Sequence, residues 1–167
     1  MTVIFFAALA AGIFVLDLLL KNHIEKHLED GEEKTLCKGK LLIRKYHNRG
    51  AFLDMGETRQ KLVAFLSLFL TLFLTVVFLL TFSFRGNSTL RAGLALLLGG
   101  AYSNTYDRLT RKYVVDYVSF PVKNRKLRGV VFNISDFCII IGALMMTLGE
   151  GRKKGRKKRK AKKPASM

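Results

Sequence analysis

Long apolar runs dominate the pattern of this chain. Four of them cover residues 2–20, 62–84, 92–106 and 130–149. Only two hold a charged residue, Asp17 in the first run and Asp136 in the fourth. A run of about 20 apolar residues matches the roughly 30 Å of hydrocarbon in a lipid bilayer. We therefore predict an α-helical integral membrane protein with four transmembrane helices, the third formed by the shortest run.

The first run lies where a secretory signal sequence would lie. No Lys or Arg precedes it, however, and its small residues Ala8 and Ala10 form only an imperfect Ala-x-Ala cleavage pattern. We therefore expect the first helix to stay uncleaved.

The two longer segments between the runs, at about residues 21–61 and 107–129, contain strand patterns. Residues 40–52 are rich in β-forming residues, which predicts a short strand or hairpin. Residues 113–120 alternate with a period of two, so Asp116 projects from the more apolar face of a second predicted strand.

The net charge of +17 is divided unevenly along the chain. From residue 150 onward ten Lys and Arg stand against one acid (+9), while the first 149 residues carry 19 against 11 (+8). We predict a membrane domain over residues 1–149 and a disordered polybasic cytoplasmic tail over 150–167 that lies on anionic lipid. The chain termini are then both cytoplasmic and the two longer segments extracytoplasmic. Nucleic acid is not an expected partner, because no aromatic residue is interleaved in the tail to stack on bases.

Neither the cysteines nor the histidines indicate a structural bridge or a metal site. Cys37 lies in an outer segment and Cys138 in the fourth run, so no disulfide is expected. His23 and His27 are one helical turn apart, but the intervening Glu is not where a zinc protease has it. We predict no metal, no cofactor and a monomer.

Polar residues gather at one end of the predicted helices. On the third predicted helix a single stripe of the surface holds Gly93, Leu97, Gly100, Asn104 and Asp107. Asn133 and Asp136 share a face of the fourth helix, while Asp17 and Lys21 end the first helix one turn apart. Acids inside a membrane segment are costly and mark functional sites by default. The sequence thus predicts one polar site at the outer ends of the helices.

Two carboxylates in a poorly hydrated site do not both ionise easily, so one holds a proton, as in the pair of an aspartic protease. The candidates are Asp116, on its strand above the membrane, and Asp136, just below the surface. Asp107 is the third option, but Arg108 and Arg111 follow it closely, which favours an ionised structural role.

Five motifs follow one another along the chain: DLLLK at 17–21, NRGAF at 48–52, GGAYSNTYDR at 99–108, YVVDY at 113–117 and FNISD at 132–136. In this order they resemble the signal peptidase II family, the lipoprotein signal peptidases. The resemblance extends over residues 1 to about 149, and the last three motifs together are the specific ones.

The resemblance implies an intramembrane aspartic endopeptidase with four helices and a small β-rich extracytoplasmic cradle and lid. It implies that this enzyme removes the signal peptide of a bacterial prolipoprotein just before a Cys that carries diacylglycerol, and that globomycin-type peptides inhibit it. The catalytic pair falls on Asp116 and Asp136. Positions of the site framework or of substrate contact fall on Asp17, Lys21, Asn48, Gly50, Asn104, Asp107, Arg108 and Asn133.

The chain departs from the family pattern at a few positions. Ser103 stands where the family usually has Gly, Ser135 where it usually has Ala, and NRGAF is one residue shorter than usual. For Asp17 and Lys21 we prefer a snorkelling pair that closes the first helix, with a substrate role as the alternative.

Two other functions stay open from the sequence. One is a small transporter or lipid-binding protein that uses Asp136 as a proton relay; it requires polar residues to continue to the cytoplasmic side, where the runs are almost wholly apolar. The other is an inactive relative that binds lipoprotein precursors without cutting them.

Overall fold

Most of the chain is helical. The computed structural model describes residues 2–50, 59–83, 88–122 and 129–161. Its helices are α1 (Thr2–His27), α2 (Gln60–Leu80, followed by a 3₁₀ turn at Thr81–Ser83), α3 (Ser88–Thr110) and α4 (Ile134–Ala161).

Two of these segments, Thr2–His27 and Gln60–Ser83, are long and apolar enough to cross a membrane, and α4 contributes a shorter apolar stretch, Ile134–Thr147. The mostly helical class is confirmed, whereas the count of four transmembrane helices stays a prediction.

A four-stranded antiparallel sheet covers one end of the helices, with strands in the order β1-β2-β3-β4. The strands are β1 (Glu33–Leu36), β2 (Leu41–Asn48), β3 (Val114–Ser119) and β4 (Val131–Phe132). The strands predicted within 40–52 and 113–120 are confirmed as β2 and β3. The Ala51 and Phe52 part of the NRGAF motif lies outside the described residues.

The start of the fourth helix differs from the prediction. Residues 131 and 132 pair with β3 as strand β4, and α4 begins only at Ile134. A short apolar run fits either a strand or a helix, and here the open edge of β3 provides hydrogen-bond partners for the strand. Asp136 therefore lies in the first turn of α4 rather than two turns inside a helix.

Helix α3 is central and packs closely against two neighbours through glycines. A Cβ atom at Gly93 would lie 2.8 Å from the Gly142 carbonyl oxygen of α4, and one at Gly99 would lie 2.7 Å from the Ala10 carbonyl oxygen of α1. Larger residues at these positions would push the helices apart. Gly93 belongs to the stripe from which close packing was predicted, whereas Gly99 lies outside it.

Two apolar clusters hold the fold together. One lies far from the sheet and joins α1, α2 and α3 through Phe6, Phe78, Leu94, Ala95 and Leu98. The other seats the sheet on the outer end of α1 through Ile24, Leu28, Val115 and Tyr117. Because side chains alternate along a strand, Asp116 points from β3 away from the second cluster.

The segment predicted as a disordered tail also differs in part. Helix α4 continues without a break to Ala161, well beyond residue 150. Lys, Arg and Ala are good helix formers, and the segment extends a helix that is already nucleated, which is less costly than starting a new one. Residues 162–167 lie outside the described residues.

Candidate active site

Asp116 of β3 and Asp136 of α4 line the same cavity, whose volume is about 510 Å³. Asp116 is only 2% exposed. The two carboxylates come from separate elements, yet the short turn between β4 and α4 brings the helix start directly beneath β3. The two acids predicted as a pair are thus brought to one site.

Asn133, which is fully buried, connects the two acids. Its side-chain Nδ2 donates to Asp116 Oδ1 at 2.6 Å. Its Oδ1 accepts the backbone N–H of Asp136 at 2.9 Å, and its own backbone N–H donates to Asp136 Oδ2 at 3.0 Å. This reciprocal pattern between a helix N-cap and the third residue of the helix is a capping box. The sequence placed Asn133 and Asp136 on one helix face, whereas the structure makes Asn133 the cap before the helix.

Two more asparagines complete the donors to the acids. Asn48 at the end of β2 donates from Nδ2 to Asp116 Oδ2 at 3.0 Å. Asn104 of α3 donates from Nδ2 to Asp136 Oδ1 at 2.9 Å. Each carboxylate therefore receives two N–H donors, which fix its plane and stabilise its ionised form.

The electrostatics favour a proton on Asp116 near neutral pH. Burial raises the pKa of this carboxyl most, the nearby negative charge of Asp136 raises it further, and the result is a pKa of about 7. The amide groups of Asn48 and Asn133 act in the opposite direction. Asp116 is thus poised to gain or lose a proton in the physiological range.

Lys21 is not the snorkelling residue that we preferred from the sequence. It is fully buried, as is Asp17, and its ammonium lies 2.9 Å from Asp17 Oδ2 and 3.1 Å from Asp107 Oδ2. It also donates to Asn104 Oδ1 at 2.8 Å. A buried Lys needs such compensation, and its partners come from α3, far away in sequence, as well as from its own helix.

Asp107 lies in a buried cluster of ion pairs at the end of α3. Besides Lys21, it faces the Arg111 Nε atom at 3.0 Å and accepts the backbone N–H of Val115 at 3.2 Å. These contacts fix the end of α3 to the beginning of β3, directly beside Asp116.

Arg108 and Gly50 form the rim of the site. The Arg108 guanidinium donates to the carbonyl oxygens of Asn104 and Gly50, both at 3.2 Å. The Gly50 N–H in turn donates to Asn48 Oδ1 at 3.1 Å, which turns the Asn48 amide nitrogen towards Asp116.

Three polar residues of the site were not proposed from the sequence. Ser103, Ser135 and Tyr117 all donate to the Asp17 carboxylate. The sequence shows the two serines only as departures from the family pattern, and Tyr117 only as a residue of a predicted strand. Each directly neighbours a site residue in the chain, which is the one signal by which they could have been found.

The rest of the cavity wall is mostly apolar and belongs to helices. Its members on α2, α3 and α4 include Leu70, Leu74, Leu97, Ala101, Ile139 and Ile140. The cavity therefore combines a polar end under the sheet with an apolar side among the helices.

Comparison with known proteins identifies a family and relatives of this chain. Residues 9–150 match the family model described as signal peptidase (SPase) II. The chain is 32% identical over 135 residues to the lipoprotein signal peptidase of Caldicellulosiruptor bescii, covering 80% of this chain and 82% of that protein. It is 30% identical over 134 residues to the one of Lactobacillus johnsonii, covering 80% and 83%.

Solved structures share the fold. A bacterial membrane enzyme determined by the in meso method aligns with a TM-score of 0.78 at 19% identity, over 97% of this chain and 93% of that one. A second such enzyme aligns with a TM-score of 0.69 at 20% identity, over 86% and 90%.

Proposed function

Since this chain belongs to the signal peptidase II family, we propose that it is an intramembrane aspartic endopeptidase. Its substrate is a diacylglyceryl-modified bacterial prolipoprotein, and the bond it cuts precedes the lipidated Cys. The observation that carries the proposal is the convergence of Asp116 and Asp136 on one cavity that is apolar along its helical side. The relatives named lipoprotein signal peptidase support the substrate class.

In the proposed reaction Asp116 and Asp136 act on a shared water molecule. The ionised carboxylate takes a proton from the water as it attacks the scissile carbonyl, and the protonated one donates to the carbonyl oxygen. On collapse of the tetrahedral intermediate a proton passes to the leaving amine. The raised pKa of Asp116, about 7, supports a pair that holds one proton near neutral pH. The asparagine donors keep both carboxylates in the orientation that the reaction requires.

The apolar wall of the cavity receives the lipid part of the substrate in this proposal. Leu70 and Leu74 of α2 and Ile139 and Ile140 of α4 line the cavity. Acyl chains and the signal helix bind there by burying apolar surface, which places the scissile bond over the acids. The framework residues Asn48, Asn104 and Arg108 surround that position and provide polar groups for the peptide backbone.

We further propose that all four helices cross the cytoplasmic membrane, that the enzyme is a monomer and that both termini are cytoplasmic. Helix α3 has 23 residues and is about 34 Å long at 1.5 Å per residue, enough for the hydrocarbon layer. The basic residues of α4 beyond residue 150 lie among anionic headgroups on the inner side. A reporter fused after residue 167 that is active only in the cytoplasm tests this orientation.

A transporter is less well supported. A proton path from Asp136 to the cytoplasm needs polar groups at the far end of the bundle. The core that packs there, around Phe78, Leu94 and Leu98, is apolar. The buried Arg91 beside it donates to the Thr81 carbonyl oxygen and lies over the Phe82 ring, which gives it a role in packing the end of the bundle.

The decisive experiment is cleavage of a diacylglyceryl-modified prolipoprotein by the purified chain in lipid. Asp116→Asn and Asp136→Asn are each expected to abolish product, and a globomycin-type peptide is expected to inhibit the unaltered chain. Asp30→Asn is the matched control, because this acid is 83% exposed, lies outside the cavity and pairs with Lys45 at 2.9 Å.

Thermal unfolding in detergent verifies that each variant is folded. Near-normal turnover by a folded Asp116→Asn or Asp136→Asn variant would refute the aspartic mechanism. An unaltered chain that binds the precursor and never cuts it would instead identify the inactive relative.

A further inference from the structure

The carboxylate of Asp17 is the centre of a buried cluster behind the site. Its Oδ2 accepts hydrogen bonds from Ser103 Oγ at 2.6 Å, from Ser135 Oγ at 2.5 Å and from Lys21 Nζ at 2.9 Å. Its Oδ1 accepts the Tyr117 hydroxyl at 2.9 Å. We call these five residues the Asp17 cluster. Asp17, Lys21, Ser103 and Ser135 are fully buried and Tyr117 is 4% exposed.

The cluster joins four elements, and three of its donors directly adjoin site residues. Ser103 precedes Asn104 on α3, Ser135 precedes Asp136 on α4, and Tyr117 follows Asp116 on β3. One carboxylate therefore holds the backbone of α3, α4 and β3 at the positions from which the site side chains project. Since hydrogen bonds to a buried charge are stronger than those between neutral groups, this attachment is firm.

Lys21 also fixes the orientation of the Asn104 side chain. The ammonium has only donors, so the Asn104 group it faces at 2.8 Å is the carbonyl oxygen. The amide nitrogen of Asn104 is thereby turned towards Asp136 Oδ1. Ser103 strengthens the same arrangement, because its hydroxyl accepts from Lys21 while it donates to Asp17.

We propose that Ser103 and Ser135 are positioning residues that act as one unit through Asp17 Oδ2. They do not touch the reacting atoms; they set the distance and angle between Asp136 and its partners by tying α3 and α4 to α1. This inference rests on the proposed function and assigns a catalytic consequence to two residues of the chain outside the predicted site.

The test is the kinetics of Ser103→Ala, Ser135→Ala and the double variant on the lipid-modified precursor, with the full chain in lipid. Each single change is expected to lower kcat roughly tenfold, since small misplacements of reacting groups cost up to about a hundredfold. KM is expected to stay within about twofold, because neither serine lines the cavity. The double variant is expected to lose little more than the poorer single variant, as coupled residues do.

Ser119→Ala is the matched control. Ser119 is equally buried and lies three residues from Asp116, but its hydroxyl has no hydrogen-bond partner within the described part of the chain. Its kcat is expected to equal that of the unaltered enzyme. Ser135→Thr keeps the hydroxyl and is expected to retain most of kcat.

The inference is overturned if kcat is unchanged in both alanine variants or if the two losses of kcat multiply in the double variant. It is also overturned if the variants change KM and leave kcat unaltered. Should an alanine variant fail to fold, the near-isosteric Ser135→Cys, with its weaker donor, is expected to lower kcat in the same way. Asp116→Asn separates the two proposals: a folded variant with no product upholds the aspartic mechanism whatever the serine variants do.

Discussion

Replacement of Asn133 separates the two tasks of this residue, which are to cap α4 and to hold Asp116. Asn133→Ala removes both, whereas Asn133→Ser keeps a good N-cap hydroxyl for the Asp136 N–H but ends one atom short of Asp116. Loss of the cap costs about 1 kcal/mol of unfolding free energy. Loss of the hydrogen bond to the Asp116 carboxylate costs a further ~1.5–3 kcal/mol when that group is ionised.

Loss of the hydrogen bond from Asn133 to Asp116 also changes the pH dependence of activity. Asn133 Nδ2 stabilises the ionised form of Asp116, so its removal raises the pKa of Asp116 above its present value of about 7. A loss of roughly 1.4 kcal/mol from the ionised form corresponds to a rise of about one unit. The limb of the pH–rate profile that belongs to Asp116 is expected to move to higher pH in both variants.

Two measurements in detergent or lipid check this reasoning: denaturant unfolding and the pH profile of kcat/KM. We expect Asn133→Ser to be more stable than Asn133→Ala by about 1 kcal/mol, and the pH shift to be the same in both. The reasoning is refuted if the Asp116 limb of the pH profile moves in neither variant, if it moves to lower pH, or if it moves only in Asn133→Ala.

Three further outcomes are expected. Because the pKa of Asp116 in the fold, about 7, exceeds its ordinary value of 3.8, the folded protein binds the extra proton between these pH values. The free energy of unfolding therefore falls as pH rises through this window, and Tm measured against pH is flatter for Asp116→Asn; parallel curves would contradict this. Lys21→Met takes the cation away from the buried Asp17 carboxylate, leaves Asp107 with Arg111, and destabilises the fold by about 3–5 kcal/mol. The exposed Lys34→Met changes stability by less than about 1 kcal/mol, and equal effects would count against the buried network. Gly99→Ala brings a Cβ within 2.7 Å of the α1 backbone and costs about 1–3 kcal/mol. Gly12→Ala meets nothing within 4 Å and stabilises by up to about 1 kcal/mol; a tolerated Gly99→Ala would show that α1 and α3 can separate freely.

The local patterns that predicted parts of the fold were those with a clear period. The alternation around Asp116 placed its side chain opposite Val115 and Tyr117, as the structure has it. The stripe with Gly93 and Gly100 on α3 predicted close helix packing, and α4 approaches there; the approach of α1 is at Gly99, outside that stripe. These features depend on neighbours in the sequence, which a single chain displays directly.

Features that depend on distant partners were missed. Strand β1 is exposed throughout and highly charged, so it carries no alternation, and it forms only because β2 offers an open edge. The burial of Lys21 depends on Ser103, Asn104 and Asp107, more than eighty residues away. Ser103 and Ser135, which depart from the family pattern, both donate to the same oxygen of Asp17. Their spacing along the chain does not reveal this shared contact.

In the proposed orientation, the unbroken helix α4 determines how deep Asp136 lies in the bilayer. Asp136 and the first residue of the basic run, Arg152, are sixteen positions apart on this helix, or about 24 Å at 1.5 Å per residue. With the basic run anchored among the inner headgroups as proposed, the carboxylate stays about 6 Å beneath the opposite face of a roughly 30 Å hydrocarbon layer. The depth at which a precursor is cut would then be measured from the cytoplasmic side, by a rigid rod rather than by the outer loops.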